Sequence, residues 1–239
     1  MKFSIDYTTR WHDTDASRLV RPSALLVYMQ ETSNRHVAQS GMSLDALRDE
    51  RGLAFILSKI RIAFHRPLSA FEDIRVETFT CPSRGYASTR GFRVLSGGNV
   101  VAEADTLWAL VDINDKSLRK TDESGYLFDD EEPLVLDLPT RTRAPSSVEL
   151  YEVGKRAILY SDLDYNMHMN NTRYPDMLCD YMPIEQVSRI KGMTLSYLRE
   201  AAFGDTLTVL RGKDGGNYYF KTVNDQGQTC LEAVITVAE

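Results

Sequence analysis

The chain has 239 residues, and its 28 Lys and Arg against 34 Asp and Glu give a formal net charge of -6. With 43% hydrophobic and 26% charged residues it has the composition of an ordinary globular protein, which excludes disordered and collagen-like chains. The negative charge argues against nucleic-acid binding, because phosphates attract basic surfaces. No stretch reaches the roughly 18 apolar residues of a membrane span, and the opening residues lack the apolar core of a signal peptide. We therefore expect a cytoplasmic protein with no membrane span.

The first half of the chain predicts one main helix and an antiparallel sheet. A strand-like lead-in is followed by a helical pattern from Ser23 to about Gln39. A further short helix is predicted over 44–51, since Ser43 can cap its start and Gly52 can end it. Four alternating runs then predict strands, at Leu53–Arg66, Asp73–Cys81, Tyr86–Leu95 and Val100–Ile113.

The second half repeats this order. Asp162 and Asp164 follow Asp13 and Asp15 at one common spacing, and a helical pattern over 172–182 comes next. Four alternating runs close the half, at Gly192–Ala201, Asp205–Arg211, Asn217–Val223 and Thr229–Val237. The chain is thus predicted to be a duplication. Because each half offers one apolar helix and a large sheet, we predict an α+β fold in which each antiparallel sheet wraps around its helix.

Residues 119–147 lie between the halves and have the composition of a linker. They hold three prolines and an acidic run at 129–132. We expect the acidic run to be a solvated surface, with a docking surface as the alternative.

Matching positions of the two halves separate residues of the fold from candidates for function. A residue type present in both halves is expected to serve the fold. Asp13 and Asp162 match, and both are suited to capping turns. Asp15 matches Asp164, so the role of Asp164 stays open between a cap, a catalytic carboxylate, or both.

Only the second half is polar at the positions after this aspartate. Asn166 stands where the first half has Ser17, and His168 stands where it has Leu19. An asparagine amide can orient a carbonyl or a water, and a histidine can donate or accept a proton. These two residues are therefore candidates for catalysis.

Glu200 is a further residue without a counterpart, because the first half has Pro67 at the matching position. On an alternating strand Glu200 shares a face with Ser196 and Leu198. Apolar surroundings would raise the pKa of the carboxyl group, so that it could act as a base near neutral pH. The alternative is an exposed glutamate at a strand end, paired with Arg199.

The start of the second predicted helix offers a place for a negative oxygen. Asn170, Asn171 and Thr172 lie there, and free backbone N–H groups around them, aided by the helix dipole, could stabilise an addition intermediate. Together with a carboxylate, an amide and an imidazole, these groups suit acyl hydrolysis.

No cofactor or metal is expected. The sequence has no phosphate-binding loop and no dinucleotide fingerprint, and no second cluster completes a metal site around His12 and Asp13. The three cysteines, Cys81, Cys179 and Cys230, are expected to be reduced and mostly buried.

Two motifs of the second half resemble those of a known family. Residues 161–174 include Ser-Asp-Leu-Asp-Tyr-Asn-Met-His-Met-Asn-Asn, and residues 195–200 end in Tyr-Leu-Arg-Glu. They resemble the Ser-Asp-Leu-Asp-x-Asn-x-His-x-Asn-Asn signature and the Tyr-x-Arg-Glu strand of the acyl-acyl carrier protein (ACP) thioesterases. These plant and bacterial enzymes release fatty acids from ACP.

The resemblance implies a tandem hotdog architecture, in which each of two sheets wraps around a helix. It implies an acyl-binding N-terminal hotdog at 1–118, the linker at 119–147 and a catalytic C-terminal hotdog at 148–239. It also implies catalytic roles for Asp164, Asn166, His168 and Glu200.

One position departs from the pattern of the family. Some members carry a cysteine after the glutamate, where this chain has Ala201. We therefore expect attack by water or a carboxylate, with Glu200 or Asp164 as base or nucleophile. The predicted reaction is hydrolysis of fatty acyl-ACP. The alternatives are hydrolysis of acyl-coenzyme A and a non-catalytic protein that binds acyl thioesters.

The partner predicted by this resemblance is an acidic carrier protein, which would dock on basic side chains near the mouth of the site. The candidates are Arg173, Arg199, Lys191, and Arg141 or Arg143. Chain length depends on how Met29, Met42, Leu57, Phe64 and Trp108 pack, and it cannot be read from the sequence. Both a monomer and a homodimer remain open.

Overall fold

The computed structural model describes residues 2–126 and 130–238, apart from the side chain of Arg84. Within these ranges eleven strands form one antiparallel sheet. The strands are β1 (Phe3–Thr8), β2 (Leu53–Phe64), β3 (Asp73–Arg84), β4 (Ala87–Ser96), β5 (Asn99–Asp112), β6 (Leu118–Arg119), β7 (Tyr151–Ala157), β8 (Ile190–Tyr197), β9 (Thr206–Asp214), β10 (Asn217–Val223) and β11 (Thr229–Val237).

The sheet joins the two halves of the chain through one central pair of strands. Its order is β1-β3-β4-β5-β2-β8-β11-β10-β9-β7, with β6 paired to β5. In the central pair Ile60 lies opposite Leu195, and Ile62 lies opposite Met193. The predicted α+β fold with two sheet halves is confirmed.

The strand before Glu200 is shorter than predicted. It ends at Tyr197 rather than Ala201, because the N–H groups of Leu198 and Arg199 both donate to the carbonyl of Cys230. Two successive donors on one acceptor end the regular ladder. Glu200 therefore lies in the segment after β8, not on a strand face.

Four α-helices occur in the described residues, at α1 (Pro22–Ala38), α2 (Leu44–Arg51), α3 (Tyr174–Asp180) and α4 (Ile184–Val187). The short helix α2 agrees with its prediction. Its Ser43 side chain accepts from the N–H of Ala46 at 3.1 Å, and Gly52 ends it with a left-handed φ of 67°. Helix α3 is shorter than the predicted 172–182, because a 3₁₀ turn at Asn171–Arg173 precedes it. No described helix is both long and apolar enough to cross a bilayer.

The core lies between the helices and the inner face of the sheet. Leu25 and Met29 of α1 belong to one buried cluster with Leu178 of α3 and with Met193 and Leu195 of β8. Each such buried side chain contributes about 1.5–3 kcal/mol to folding. The main core thus draws side chains from both halves.

The linker crosses the outer face of the sheet. Thr194 donates to the carbonyl of Pro139 at 2.8 Å, and Thr142 donates to Ser196 at 3.0 Å. Within the acidic run, Asp130 and Glu132 are exposed as predicted, Glu131 is half-buried, and Asp129 lies outside the described residues. The later part of the linker is attached to β8 rather than fully solvated.

Candidate active site

The loop at residues 162–170, here called the site loop, carries three of the four candidate catalytic residues. One carboxylate oxygen of Asp164, Oδ1, accepts from the N–H groups of Asn166 at 2.8 Å and His168 at 3.4 Å. The N–H of Asp164 donates to the carbonyl of His168 at 2.8 Å. These bonds close a tight loop and fix the directions in which its side chains leave.

The loop at residues 13–21, here called the twin loop, has the same bonds. Oδ1 of Asp15 accepts from the N–H groups of Ser17 at 2.8 Å and Leu19 at 3.2 Å. Arg18 of the twin loop and Met167 of the site loop share a left-handed φ of 64°. The predicted duplication is therefore present in backbone detail, and one oxygen of Asp164 holds its loop as Asp15 does.

The first aspartate of each loop also has matching contacts. Asp162 accepts from the N–H of Leu159 at 2.9 Å and pairs with Arg156 at 2.6 Å. Asp13 accepts from the backbone N–H of Arg10 at 2.8 Å and forms a salt bridge with the Arg10 side chain. Both carboxylates are buried and cap short 3₁₀ turns, as predicted.

His168 and Glu200 face each other across two segments. The N–H of Met169 donates to the carbonyl of Ala201 at 2.8 Å, and His168 forms a backbone bridge with Ala202. This attachment brings Nδ1 of His168 to 3.5 Å from Oε2 of Glu200. The Glu200 side chain is 51% exposed, so its predicted apolar surroundings are wrong: the strand ends before reaching it.

The side chain of Asn166 is held by a residue of the other half. Arg48 of α2 donates to Oδ1 of Asn166, and its guanidinium lies 5.5 Å from the ring centroid of Tyr165. Sequence reasoning missed Arg48. The available signal was the length of the segment between α1 and β2, which holds the eight-residue α2 where the second half has only the four-residue α4.

Two of the three predicted oxyanion amides are already engaged. The N–H of Asn170 donates to the carbonyl of Asp162 at 2.8 Å, and that of Thr172 donates to the Asn170 side chain at 2.9 Å. The expectation that they are free is therefore wrong, because the tight loop and its cap use them. The N–H of Asn171 has no acceptor among the residues that the structure describes. Helix α3 itself begins only at Tyr174.

Tyr197 fixes the peptide of Asn171 and was also missed by sequence reasoning. Its hydroxyl donates to the carbonyl of Asn171 at 3.0 Å, and the ring of Tyr174 packs edge-on against it at 5.4 Å. Burial raises the pKa of Tyr197 far above its usual value, so the hydroxyl stays protonated as a donor. In the sequence it stands on the predicted strand 192–201 and in the Tyr-Leu-Arg-Glu motif, and neither indicates this contact.

A cavity of about 650 Å³ connects these groups to an apolar space between the two halves. Its polar end holds the candidate residues of the site, namely Asp164, Asn166, His168, Asn171, Thr172 and Glu200. Much of its apolar lining comes from the first half, chiefly Leu26, Met29, Leu57, Ile60, Phe92 and Trp108, and polar side chains such as Gln30, Asn34 and Thr106 lie among them. Met42 and Phe64, predicted to shape this space, do not line it.

A second cavity of about 590 Å³ adjoins the first. The two share Ser33, Asn34, Leu44, Phe55 and Trp108 as a common wall. Beyond this wall the lining is more polar and includes Thr80, Ser88 and Arg90. The apolar space therefore ends at a polar chamber.

None of the cysteine side chains supplies a nucleophile to these cavities. Cys81, Cys179 and Cys230 are free thiols, and none of them lines either cavity. Burial raises the pKa of Cys179 to about 12, which keeps its thiol protonated.

The basic side chains predicted to dock a carrier are all exposed, but they lie in different places. Arg199 lines the main cavity. Arg141 and Arg143 flank Thr142, which binds the outer face of β8. Arg199 is therefore a candidate docking residue beside the cavity, whereas Arg141 and Arg143 lie by the outer face of the sheet.

Solved structures of similar fold cover the whole chain. An acyl-ACP thioesterase from Bacteroides thetaiotaomicron matches 99% of this chain and 98% of its own, with a TM-score of 0.89 and 19% identity. The 12:0-ACP thioesterase from Umbellularia californica matches 99% of this chain and 97% of its own, with a TM-score of 0.86 and 20% identity. These likenesses establish the tandem hotdog fold, as the sequence motifs implied.

Family models identify the lineage. The model of the acyl-ACP thioesterase N-terminal domain matches residues 1–124, and that of the C-terminal domain matches residues 146–237. The chain belongs to the acyl-ACP thioesterase family. A chloroplastic palmitoyl-ACP thioesterase of Arabidopsis thaliana is 22% identical over 233 residues, which are 90% of this chain and 57% of that protein. The chain thus spans a little more than half the length of the curated relatives that it matches first.

Proposed function

We propose that the protein hydrolyses the thioester of fatty acyl-ACP and releases a free fatty acid. The observation that carries this proposal is the composition of the main cavity. An imidazole, a carboxylate and an amide meet at one end, and the walls beyond them include a group of apolar side chains from the first half. A thioester at the polar end would place its alkyl chain along those apolar walls.

In the proposed mechanism, Glu200 and His168 activate a water molecule. The Glu200 carboxylate orients the Nδ1–H of His168, so that the other ring nitrogen can accept a proton from water. The separation of 3.5 Å is long for a hydrogen bond, and such contacts commonly tighten when substrate binds. The water oxygen bonds to the thioester carbon while its proton passes to the pair.

The negative oxygen that forms in this step needs hydrogen-bond donors. Asn166 and Asn171 line the cavity, and the side-chain N–H₂ of the first and the backbone N–H of the second are the candidate donors. When the intermediate collapses, the C–S bond breaks, and the leaving thiolate takes up the proton held by the pair. The products are a carboxylic acid and the thiol of the carrier.

Asp164 is assigned to the loop in this scheme. Its Oδ1 accepts from two backbone N–H groups, as Oδ1 of Asp15 does in the twin loop, which lacks the candidate catalytic side chains. Glu200 is therefore the carboxylate to which we assign the chemistry.

The two halves would divide the work in this proposal. The hotdog at 1–118 supplies the walls for the acyl chain, the segment 119–147 links, and the hotdog at 148–239 supplies the reactive groups. The carrier protein would approach near Arg199 and Arg173. Cytoplasmic residence and the choice between monomer and homodimer stay predictions, and the curated relative named above is chloroplastic.

The test is a release assay with purified protein on acyl-ACP and acyl-coenzyme A, each over a series of chain lengths. We expect turnover on acyl-ACP that weakens as salt is added, since docking to an acidic carrier is electrostatic. Faster turnover on acyl-coenzyme A would mean that acyl-coenzyme A, rather than acyl-ACP, is the substrate. Tight binding of acyl thioesters without release would establish a non-catalytic binding protein instead.

A further inference from the structure

Helix α2 of the first half carries an arginine whose guanidinium group reaches the site loop of the second half. The helix has eight residues, whereas α4, at the matching place after α3, has only four. It is anchored by Leu47, which is fully buried against Leu53 and Leu110. One residue further on, Arg48 reaches Asn166. Helix α2 is thus the only described part of the first half that donates a side-chain hydrogen bond to the site loop.

The chemistry of the two side chains fixes the orientation of the amide. A guanidinium carries donors and no acceptor, so it binds the oxygen of an asparagine amide and not its nitrogen. With Oδ1 facing Arg48, the N–H₂ group is the part of Asn166 that remains for the substrate. From this geometry we infer that Arg48 is a positioning residue, which presents Asn166 as a hydrogen-bond donor to the thioester carbonyl oxygen.

The surroundings support a fixed rather than an adaptable contact. The backbone N–H of Asn166 is held by Asp164 at 2.8 Å, so the residue is tied at both ends. The Arg48 guanidinium also lies over the ring of Tyr165, which limits its own freedom. A charged donor on Oδ1 polarises the amide and strengthens its N–H groups as donors.

The inference deepens the proposed function, on which its kinetic test rests. The first experiment is a double-mutant cycle with Arg48→Ala, Asn166→Ala and the double variant, assayed on one acyl-ACP. We expect Arg48→Ala to lower kcat by about 10- to 100-fold with little change in KM, as for a misplaced catalytic group. In the Asn166→Ala background the same change should cost less than about twofold, because its target is gone.

Three further variants separate the role of the donor from other roles. Arg51→Ala removes a cation from the same helix that contacts Ser124 rather than the site, and it should keep normal turnover. Arg48→Lys keeps the charge and one donor, and it should recover part of kcat. Asn166→Asp can still bind Arg48 but has no N–H₂ group, and it should lose as much as Asn166→Ala.

Two outcomes would overturn the inference. Costs that multiply in the double variant would mean that Arg48 acts independently of Asn166. A rise in KM that appears only with acyl-ACP and vanishes in high salt would make Arg48 a docking residue. A measurement that needs no turnover tests the contact separately from the proposed function. The NMR signals of the Asn166 side-chain N–H₂ should shift in Arg48→Ala and stay in place in Arg51→Ala. Unshifted signals in Arg48→Ala would refute the contact even in an inactive protein.

Discussion

The site loop and the twin loop have one backbone and two chemistries. Each is closed by an aspartate that accepts from the N–H groups two and four residues later. At those two positions the site loop has Asn166 and His168, and the twin loop has Ser17 and Leu19. The difference shows that a tight loop at the start of a hotdog helix is a general support. What the loop does depends on the side chains placed on it and on what reaches them from outside.

The largest effect is expected from the carboxylate that the first half lacks. Glu200→Gln removes the negative charge beside His168 while keeping the shape of the side chain. We expect kcat to fall by about 10²–10⁴-fold, the usual contribution of general acid–base catalysis. His168→Ala should fall by a similar factor, whereas both melting temperatures should stay near that of the parent protein. Glu185→Gln, an exposed glutamate on α4, is the matched control. Near-normal rates for Glu200→Gln would remove it from the mechanism.

A pH effect on stability is expected from the longer helix of the first half. Burial, with the nearby Arg90 guanidinium, lowers the pKa of His36 to about 4. The unfolded chain therefore binds a proton near pH 6.5, whereas the folded protein does not. Stability should fall as the pH drops from about 6.5 towards 4, by up to about 3 kcal/mol, since one pKa unit is worth about 1.4 kcal/mol.

This prediction is tested by urea unfolding at a series of pH values with the parent protein and His36→Gln. Glutamine can still accept from Arg90 but does not titrate, so the slope between pH 6.5 and 4 should flatten. An unchanged slope would mean that other groups cause the acid sensitivity. The second half has no equivalent, because α3 ends at Asp180.

The paired aspartates allow the loop role and the catalytic role to be separated. Asp15→Ala and Asp164→Ala each remove an acceptor of two backbone N–H groups, and each should cost about 1–2 kcal/mol in the free energy of unfolding. Asp164→Asn keeps an oxygen acceptor without the charge. We expect it to retain most of the turnover, while Asp164→Ala loses much of it. A large loss in Asp164→Asn, with normal stability, would return Asp164 to the catalytic machinery.

The sequence was sufficient for the features that repeat or that local chemistry dictates. The two halves, the caps of α2 and the equivalent roles of Asp13 and Asp162 all follow from matching positions and from short-range hydrogen bonds. The apolar walls of the cavity were only partly predicted. Met29, Leu57 and Trp108 line it, whereas Met42 and Phe64 do not.

The details missed were those that depend on contacts between distant segments. The exposure of Glu200 follows from where β8 leaves the ladder at Cys230, and no local pattern encodes that. The contact of Arg48 with Asn166 joins residues of different halves, and the hydroxyl bond of Tyr197 crosses from strand to loop. An internal comparison cannot reveal such contacts, because it only compares positions that both halves possess.

The smallest effect is expected at the surface, where the two faces of the molecule can be compared directly. Arg199 lies at the cavity, and Arg143 belongs to the linker on the outer face of the sheet. Since exposed charge pairs contribute about 0.2–1 kcal/mol, Arg199→Ala should raise KM for acyl-ACP by no more than about fivefold. It should leave kcat and turnover of acyl-coenzyme A nearly unchanged, and the effect should fade in high salt. Arg143→Ala should have no effect on either substrate. An equal effect of the two substitutions would mean that the carrier contacts the outer face of the sheet as well as the side with the cavity. The acyl thioester would then have to reach the site loop from farther away than docking beside Arg199 requires.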